Sequence, residues 1–394
     1  MTIVFSYAAY KFTDAIEGVG GEERVAWETV SWFAERGHRV YVCSPQFALS
    51  RQYENLIPIE ISDCDYKDEK RWTKKIQKVL RFDRQSRKAI RRIIQNETVD
   101  AVHHLCPAYP GFSSSVSKLS APFVYGPATV QYDRKIEGVR SSTIKRVFTV
   151  VYGVIKRFRY AKTLRQAARV LVEVDYARRY LPRRIRSEAI TLYNSIETQD
   201  YDPKRTIGAG AEALQSTEIL YHGGIRSNKG IEVLLRAIAV LINDRQQSCR
   251  ATLIGPIHNP AIPQLAKDLG ISEHIDFLPP VPYTHIRSVL DRKALYVFPT
   301  LQDNCPKGLL EAMAMGHPII TSDVMDIPLI VRDGVDGVIV PSGDPIALAD
   351  AIVDLTADPG RQKALAKSAL DRVQRDFDRQ KRMIELEKLY QSLE

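Results

Sequence analysis

The 394-residue chain predicts an α/β fold of two Rossmann-like, doubly wound domains facing a central cleft. Three observations carry that expectation. Each half opens with a short apolar strand, passes through a glycine turn and enters a helix. Strand-like and helix-like segments then alternate through each half, the βαβ pattern that builds parallel sheets. A polar, Gly- and Ala-rich stretch near Asp200–Ser216 separates the halves as a linker would.

In chain order, Thr2-Ile-Val-Phe-Ser6 reads as a buried strand, followed by a loop with Gly18, Gly20 and Gly21. A helix from about Glu22 to Arg36 then stops at Gly37, a C-terminal cap, before the strand Arg39–Cys43. Asp100–His104, Phe123–Tyr125 and Arg169–Glu173 supply further strands. The second half begins with Glu218–His222, a Gly-Gly loop and a helix over Lys229–Leu241. Strands Ala251–Gly255, His274–Leu278, Leu295–Phe298, Pro318–Thr321 and Gly337–Val340 follow, and Pro345–Glu394 is helical. The expected domains are residues 1–200 and 201–377, with a last helix over about 378–394.

Bulk composition narrows the setting. Hydrophobic residues at 44% and charged residues at 26% are ordinary for a water-soluble protein. No apolar run approaches the roughly 18 residues of a membrane span, and Val147–Ile155 is too short. The opening residues lack the basic start and small-residue cleavage site of a signal peptide. Five cysteines without CxxC spacing read as reduced cytoplasmic thiols, with no zinc site. The net charge of +9 is uneven: residues 1–205 carry 36 Lys+Arg against 23 Asp+Glu, and the remainder 20 against 24. Arg134–Arg186 alone holds 16 basic and three acidic residues, interleaved with Val147, Phe148, Val151, Tyr152, Ile155 and Phe158. That pattern suits an anionic membrane surface, or a soluble basic acceptor domain. No nucleic-acid-binding module accompanies the charge.

Three segments carry chemistry. Glu17-Gly-Val-Gly-Gly21 lies between a strand and a helix, where backbone amides can meet an anion, although Glu23 replaces the third glycine of GxGxxG. Gly223-Gly-Ile-Arg-Ser-Asn-Lys-Gly230 sets Arg226 and Lys229 near a helix start, an arrangement that calls for an anion. In Asp303-Asn-Cys-Pro-Lys-Gly-Leu-Leu-Glu311 two carboxylates suited to sugar hydroxyls flank the amides of Lys307, Gly308 and Leu309. Asp63-Cys-Asp65 is a DxD pair inside a charged turn and reads as incidental.

Asp303–Gly316 with Pro318-Ile-Ile-Thr-Ser322 resembles the Glu-x7-Glu and EAMAxGxPVIAS signature of GT-B fold, family 4-like retaining glycosyltransferases. Gly20-Gly-Glu-Glu-Arg24, Glu35–Val40, Tyr193–Glu197, Lys229-Gly-Ile231, Ile330–Gly337 and Pro341–Asp344 resemble further motifs of that family, in its order. The resemblance implies an N-terminal acceptor domain, a C-terminal donor domain and a final helix that packs back on the first domain. It implies a UDP- or GDP-sugar co-substrate, no required cofactor or metal, and a glycan or lipid-linked acceptor. Gly20 and Gly21 would meet the donor phosphate, together with Gly224 of the second glycine turn. Lys229 would meet the diphosphate, Glu311 the ribose and Asp303 the sugar.

Three departures stand out. The first acid is Asp303 rather than Glu, Gly224 replaces an arginine for which Arg226 can substitute, and Ala128 stands in place of a catalytic-site histidine. His103, beside His104, resembles another histidine region and becomes a catalytic candidate with Asp303, Lys229 and Arg226. The leaving diphosphate can itself take the acceptor's proton, so a missing histidine need not abolish transfer. Two other classes stay open: a catalytically impaired sugar-nucleotide-binding protein and a GT-B sugar-nucleotide epimerase. A phosphorylase needs a lysine-bound pyridoxal site, which nothing in the sequence marks.

Overall fold

The computed structural model of the chain describes residues 1–8, 11–15, 21–64, 71–106, 112–129, 158–201 and 217–393. It contains two compact units. The first holds the described residues up to Tyr193 together with those from Arg382 onward, and the second holds the described residues between Asn194 and Lys381.

In the first unit the apolar runs become β1 (Thr2–Tyr7), β3 (Arg39–Ser44), β6 (Ala101–Cys106), β7 (Phe123–Ala128) and β8 (Arg169–Val172). Strands β5 (Leu56–Glu60) and β9 (Ile190–Thr191) extend the sheet at its two edges, giving the order β5-β3-β1-β6-β7-β8-β9 with every pairing parallel, while β2 (Lys11–Thr13) and β4 (Gln46–Ala48) pair separately. Helix α1 (Gly21–Glu35) covers the sheet through Ala26, Val30 and Phe33 and ends at Gly37, whose φ of +82° closes the last turn. A second helix, α2 (Trp72–Asn96), was not foreseen. Its buried side is narrow, Phe82, Ser86, Ile90 and Ile93, and Lys74, Arg81, Arg84, Lys88 and Arg91 line its exposed side.

The second unit is a six-stranded parallel sheet in the order β12-β11-β10-β13-β14-β15. Its strands are β10 (Thr217–His222), β11 (Cys249–Ile254), β12 (Ile275–Leu278), β13 (Leu295–Phe298), β14 (Ile319–Ser322) and β15 (Val338–Val340). Chain direction across the sheet reverses between β10 and β13, the point at which open α/β sheets take ligands beyond their strand ends. Helix α3 spans Ile231–Ala239 rather than Lys229–Leu241. It starts late because Gly230, at φ +69°, separates it from the 3-10 turn Ser227–Lys229, and the segment Val240–Asp244 continues as a π turn.

Helices α4 (Ala261–Asp268) and α5 (Lys307–Ala314) follow, and α5 is buried along almost its whole length. Helix α6 (Pro345–Thr356) is capped by Asp344, which accepts the amides of Ile346 and Ala347 at 2.9 and 3.0 Å. After α7 (Pro359–Asp376), α8 (Arg379–Gln391) starts in the second unit and ends in the first. Its Met383, Leu386 and Tyr390 join the core formed by Ile3, Phe5, Val30, Phe33 and Val42.

Candidate functional site

The glycine turn after β10 is held from beneath. Tyr221, buried in the sheet, donates its hydroxyl to the Gly224 carbonyl at 3.0 Å, and burial pushes its phenol up, so it stays a neutral donor. Its ring stacks on Phe298 of β13, with centroids 5.9 Å apart and planes 11° apart. A second clamp sits one turn later. The Asn228 carbonyl accepts from the amides of Leu301 (3.0 Å) and Gln302 (3.1 Å) and from the Thr300 hydroxyl (3.1 Å). Gly230 permits this approach, since a Cβ there would lie 1.8 Å from the Pro299 carbonyl oxygen. The loops after β10 and β13 are thereby fastened together, and Lys229 donates its ammonium to Oδ2 of Asp303.

Arg226 lies in the same turn. Its guanidinium folds over Gly224, where a Cβ would come within 2.8 Å of Nε and Nη2. It thus fills the space that a side chain at position 224 would enter. Nη2 also donates to His258 Nε2 at 2.8 Å, and burial together with the Arg226 charge holds His258 below the usual histidine range. Arg226 precedes and Lys229 ends the 3-10 turn in front of α3, so neither cation stands on the helix's first turn, for the reason given by Gly230.

Asp303 is 5% exposed and Glu311 4% exposed, so neither is a surface acid. Helix α5 opens after Pro306, and its first turn closes when Leu309 and Leu310 donate their amides to the Pro306 carbonyl at 3.1 and 3.3 Å. The Leu309 amide is therefore spent inside the helix, and its side chain is fully buried, which corrects its expected place among the anion donors. Lys307 and Gly308 head the helix where the dipole favours an anion.

Glu311 has a partner that the sequence reading missed. His222, the last residue of β10, lies 2.7 Å through Nε2 from Glu311 Oε2, and its Nδ1 is 3.1 Å from the Tyr296 hydroxyl. A histidine ending an otherwise apolar strand just before a glycine pair was the available signal.

The remaining candidates belong to the first part of the chain. His103, in β6 of the first unit, is 0% exposed. Its Nε2 donates to the Gly126 carbonyl at 2.6 Å and its Nδ1 accepts from the Tyr390 hydroxyl at 2.5 Å. Burial pushes its pKa down to about 3. With both nitrogens occupied by the core, His103 has no ring face to offer a substrate, which corrects its placement among the catalytic residues. Gly21 heads α1 in the first unit, and Gly20 lies outside the described residues. So does the basic segment up to Arg157; its described continuation exposes Arg159, Lys162 and Arg165 beside Phe158, which is 74% exposed. Asp65 of the DxD pair is likewise outside, and Asp63 is exposed 3.6 Å from Arg81. Among the described residues no three His, Cys, Asp or Glu side chains are grouped as metal ligands, and no helix is long and apolar enough to cross a membrane.

Comparison with known proteins assigns both halves of the chain to glycosyltransferase families. Residues 216–358 match the family model described as Glycosyl transferases group 1, and residues 19–200 match Glycosyltransferase Family 4. A D-inositol 3-phosphate glycosyltransferase of Streptomyces bingchenggensis is 28% identical over 165 residues, which are 40% of this chain and 36% of that protein. The enzyme of the same name from Corynebacterium kroppenstedtii is 30% identical over 41% of this chain and 38% of its own length. The chain thus matches little more than a third of the length of these relatives. Sucrose-phosphate synthase from Thermosynechococcus elongatus superposes with a TM-score of 0.71 at 18% identity, covering 100% of this chain and 98% of that one. Anabaena HepE, solved with UDP and glucose, superposes at 0.65 and 15% identity over the full length of both chains. These likenesses establish the GT-B fold.

Proposed function

We propose that this chain, which belongs to the glycosyltransferase group 1 and family 4 families in its two halves, transfers a hexose-type sugar from a UDP- or GDP-sugar to an acceptor. The observation that carries the reading is the convergence of Lys229, Arg226, Asp303 and Glu311 at the β10–β13 switch point. Lys229, Arg226 and the amides at the head of α5 meet the diphosphate, Glu311 takes the ribose diol, and Asp303 takes sugar hydroxyls. Gly20, Gly21 and Gly224 let backbone approach the phosphates.

The transfer is read as retaining and metal-independent. The acceptor oxygen bonds to the anomeric carbon on the face that the diphosphate leaves. The breaking carbon–oxygen bond gives its electron pair to the diphosphate, whose oxygen takes the acceptor proton. No side-chain base is required, in keeping with Ala128 and with a His103 locked in the core. The protein's contribution is position and charge: cations aimed at the leaving group act in a site shielded from water.

The acceptor is read as a lipid-linked or cell-envelope glycan, handled at the inner face of a membrane by a cytoplasmic, peripherally bound protein. The exposed cation row of α2 and the Arg159, Lys162, Arg165 and Phe158 surface favour an anionic setting of that kind. The inositol phosphate named in the relatives is a second anionic acceptor consistent with the same charge.

A binding panel of UDP, GDP and ADP with their sugars tests the donor, and turnover tests the reaction. One nucleotide class should raise the melting temperature, and its sugar should be transferred with the anomeric configuration kept. Binding without transfer or hydrolysis would replace the reading by that of a sugar-nucleotide-binding protein, and epimerised nucleotide sugar by that of an epimerase. Absence of binding by the whole panel would end it.

A further inference from the structure

We propose that His222 is a positioning residue that fixes the plane of the Glu311 carboxylate for a ribose diol. The inference rests on the nucleotide-sugar reading above and goes beyond it, to a side chain that touches Glu311 rather than the donor.

Both partners are buried, His222 in the last position of β10 and Glu311 in α5. The imidazole is wedged from two sides. A Cβ built on Gly308 would sit 3.2 Å from both Cε1 and Nε2 of His222, so the ring lies directly on the glycine one turn before Glu311. On another side Tyr296 meets it edge-on, with centroids 5.6 Å apart and planes 62° apart. Packing therefore fixes the ring before any hydrogen bond is counted.

The protonation follows from the partners. An ionised carboxylate only accepts, so the nitrogen 2.7 Å from Glu311 Oε2 carries a proton. Nδ1 then accepts from the Tyr296 hydroxyl at 3.1 Å, a group that also lies 3.3 Å from the His222 carbonyl. Burial holds the Tyr296 phenol far above its ordinary range, so it remains a donor.

The His222 bond holds one oxygen of the Glu311 carboxylate in place. A glutamate arm has three rotatable bonds. Tied to an immobile ring, its carboxylate keeps one orientation, and a vicinal diol that donates two hydrogen bonds depends on that orientation. Gly308 is part of the device, because a side chain there would push into the imidazole.

The test measures affinity of the full-length protein for UDP and GDP and for their 2′,3′-dideoxy counterparts. For the nucleotide that binds, the His222→Phe variant should lower ribonucleotide affinity about tenfold and leave dideoxynucleotide affinity unchanged. His222→Gln, which carries an amide donor near the position of Nε2, should recover most of the ribose preference, whereas His222→Asn, too short to reach, should not. A His222→Phe protein that keeps the full ribose preference overturns the proposal. If that variant does not fold, the Gln and Asn variants decide, and equal preferences in the two overturn it. Glu311→Ala separates the two readings. A ribose preference lost there but kept in His222→Phe defeats only the role of His222, whereas a preference kept in Glu311→Ala defeats the assignment of Glu311 to ribose.

Discussion

Lys229 and Asp303, the residues assigned to the donor's diphosphate and to its sugar, are paired with each other across the loops that follow β10 and β13. The pair is held by backbone, through the three hydrogen bonds on the Asn228 carbonyl. Under the proposed roles a bound donor takes the ammonium onto phosphate and leaves the carboxylate to sugar hydroxyls. Removing either partner should therefore have different consequences. Asp303→Asn should keep nucleoside diphosphate affinity within about threefold and cut sugar transfer about a hundredfold or more. Lys229→Ala should weaken nucleoside diphosphate about tenfold, the worth of one charge-assisted contact, and hardly affect the nucleoside. Calorimetry on both variants checks this, and equal losses of nucleotide affinity would undo the division of roles.

Arg226 and Gly224 share one volume. Arg226→Ala should cost about tenfold in nucleoside diphosphate affinity. Placing an arginine at 224 while Arg226 remains should also weaken binding, because the new side chain starts 2.8 Å from the guanidinium. The double change Gly224→Arg with Arg226→Ser should restore affinity toward the original. A double variant as weak as Arg226→Ala alone would show that the two positions are not interchangeable.

Gly230→Ala is expected to be expensive for its size. The left-handed backbone alone costs about 1 to 2 kcal/mol, and the methyl would meet the Pro299 carbonyl at 1.8 Å. The melting temperature should fall by several degrees. Lys229 should leave Asp303, visible as lost nucleotide affinity at temperatures where the variant is still folded. An unchanged melting curve would mean that the two loops are not clamped through this glycine.

His103 links stability to pH. Its folded pKa lies near 3, below the ordinary histidine value of 6.5. The unfolded chain therefore takes up the proton first as pH falls. The His103 contribution is complete above about pH 6.5 and is lost progressively between that value and about 3, at up to about 1.4 kcal/mol per pH unit. Urea unfolding at pH 7, 5.5 and 4.5 should show this slope, and His103→Leu should flatten it by that amount. Parallel slopes in the two proteins would place the acid sensitivity elsewhere.

The alternation of strands and helices was legible because buried parallel strands are short unbroken apolar runs, as in Ile219–Tyr221 and Leu295–Phe298. Edge strands were harder to read. In β5 only Leu56 is buried and an exposed proline interrupts the run, and β9 is two residues long. Helix α2 escaped because its apolar stripe is buried in a helix crowded with lysine and arginine, so charge hid the periodicity. Within the site, acids and cations spaced along a loop could be read directly. What could not be read were contacts made across 89 residues, His222 on Glu311, and across 287 residues, His103 on Tyr390. The second turned a candidate catalyst into a core residue.

The placement of Tyr390, Leu386 and Met383 in the core of the first unit bears on how the protein is made. That core lacks three of its side chains until all of Asn194–Lys381 has been synthesised. At ribosomal speeds of about 5 to 20 residues per second, the interval is roughly ten to forty seconds. The sheet strands of the second unit all lie within Asn194–Lys381, so its sheet can close while the first core still waits. Until then Phe33 and His103 lack the Tyr390 ring against which both pack. The last helix thus completes the core of the first unit only after Asn194–Lys381 has been made.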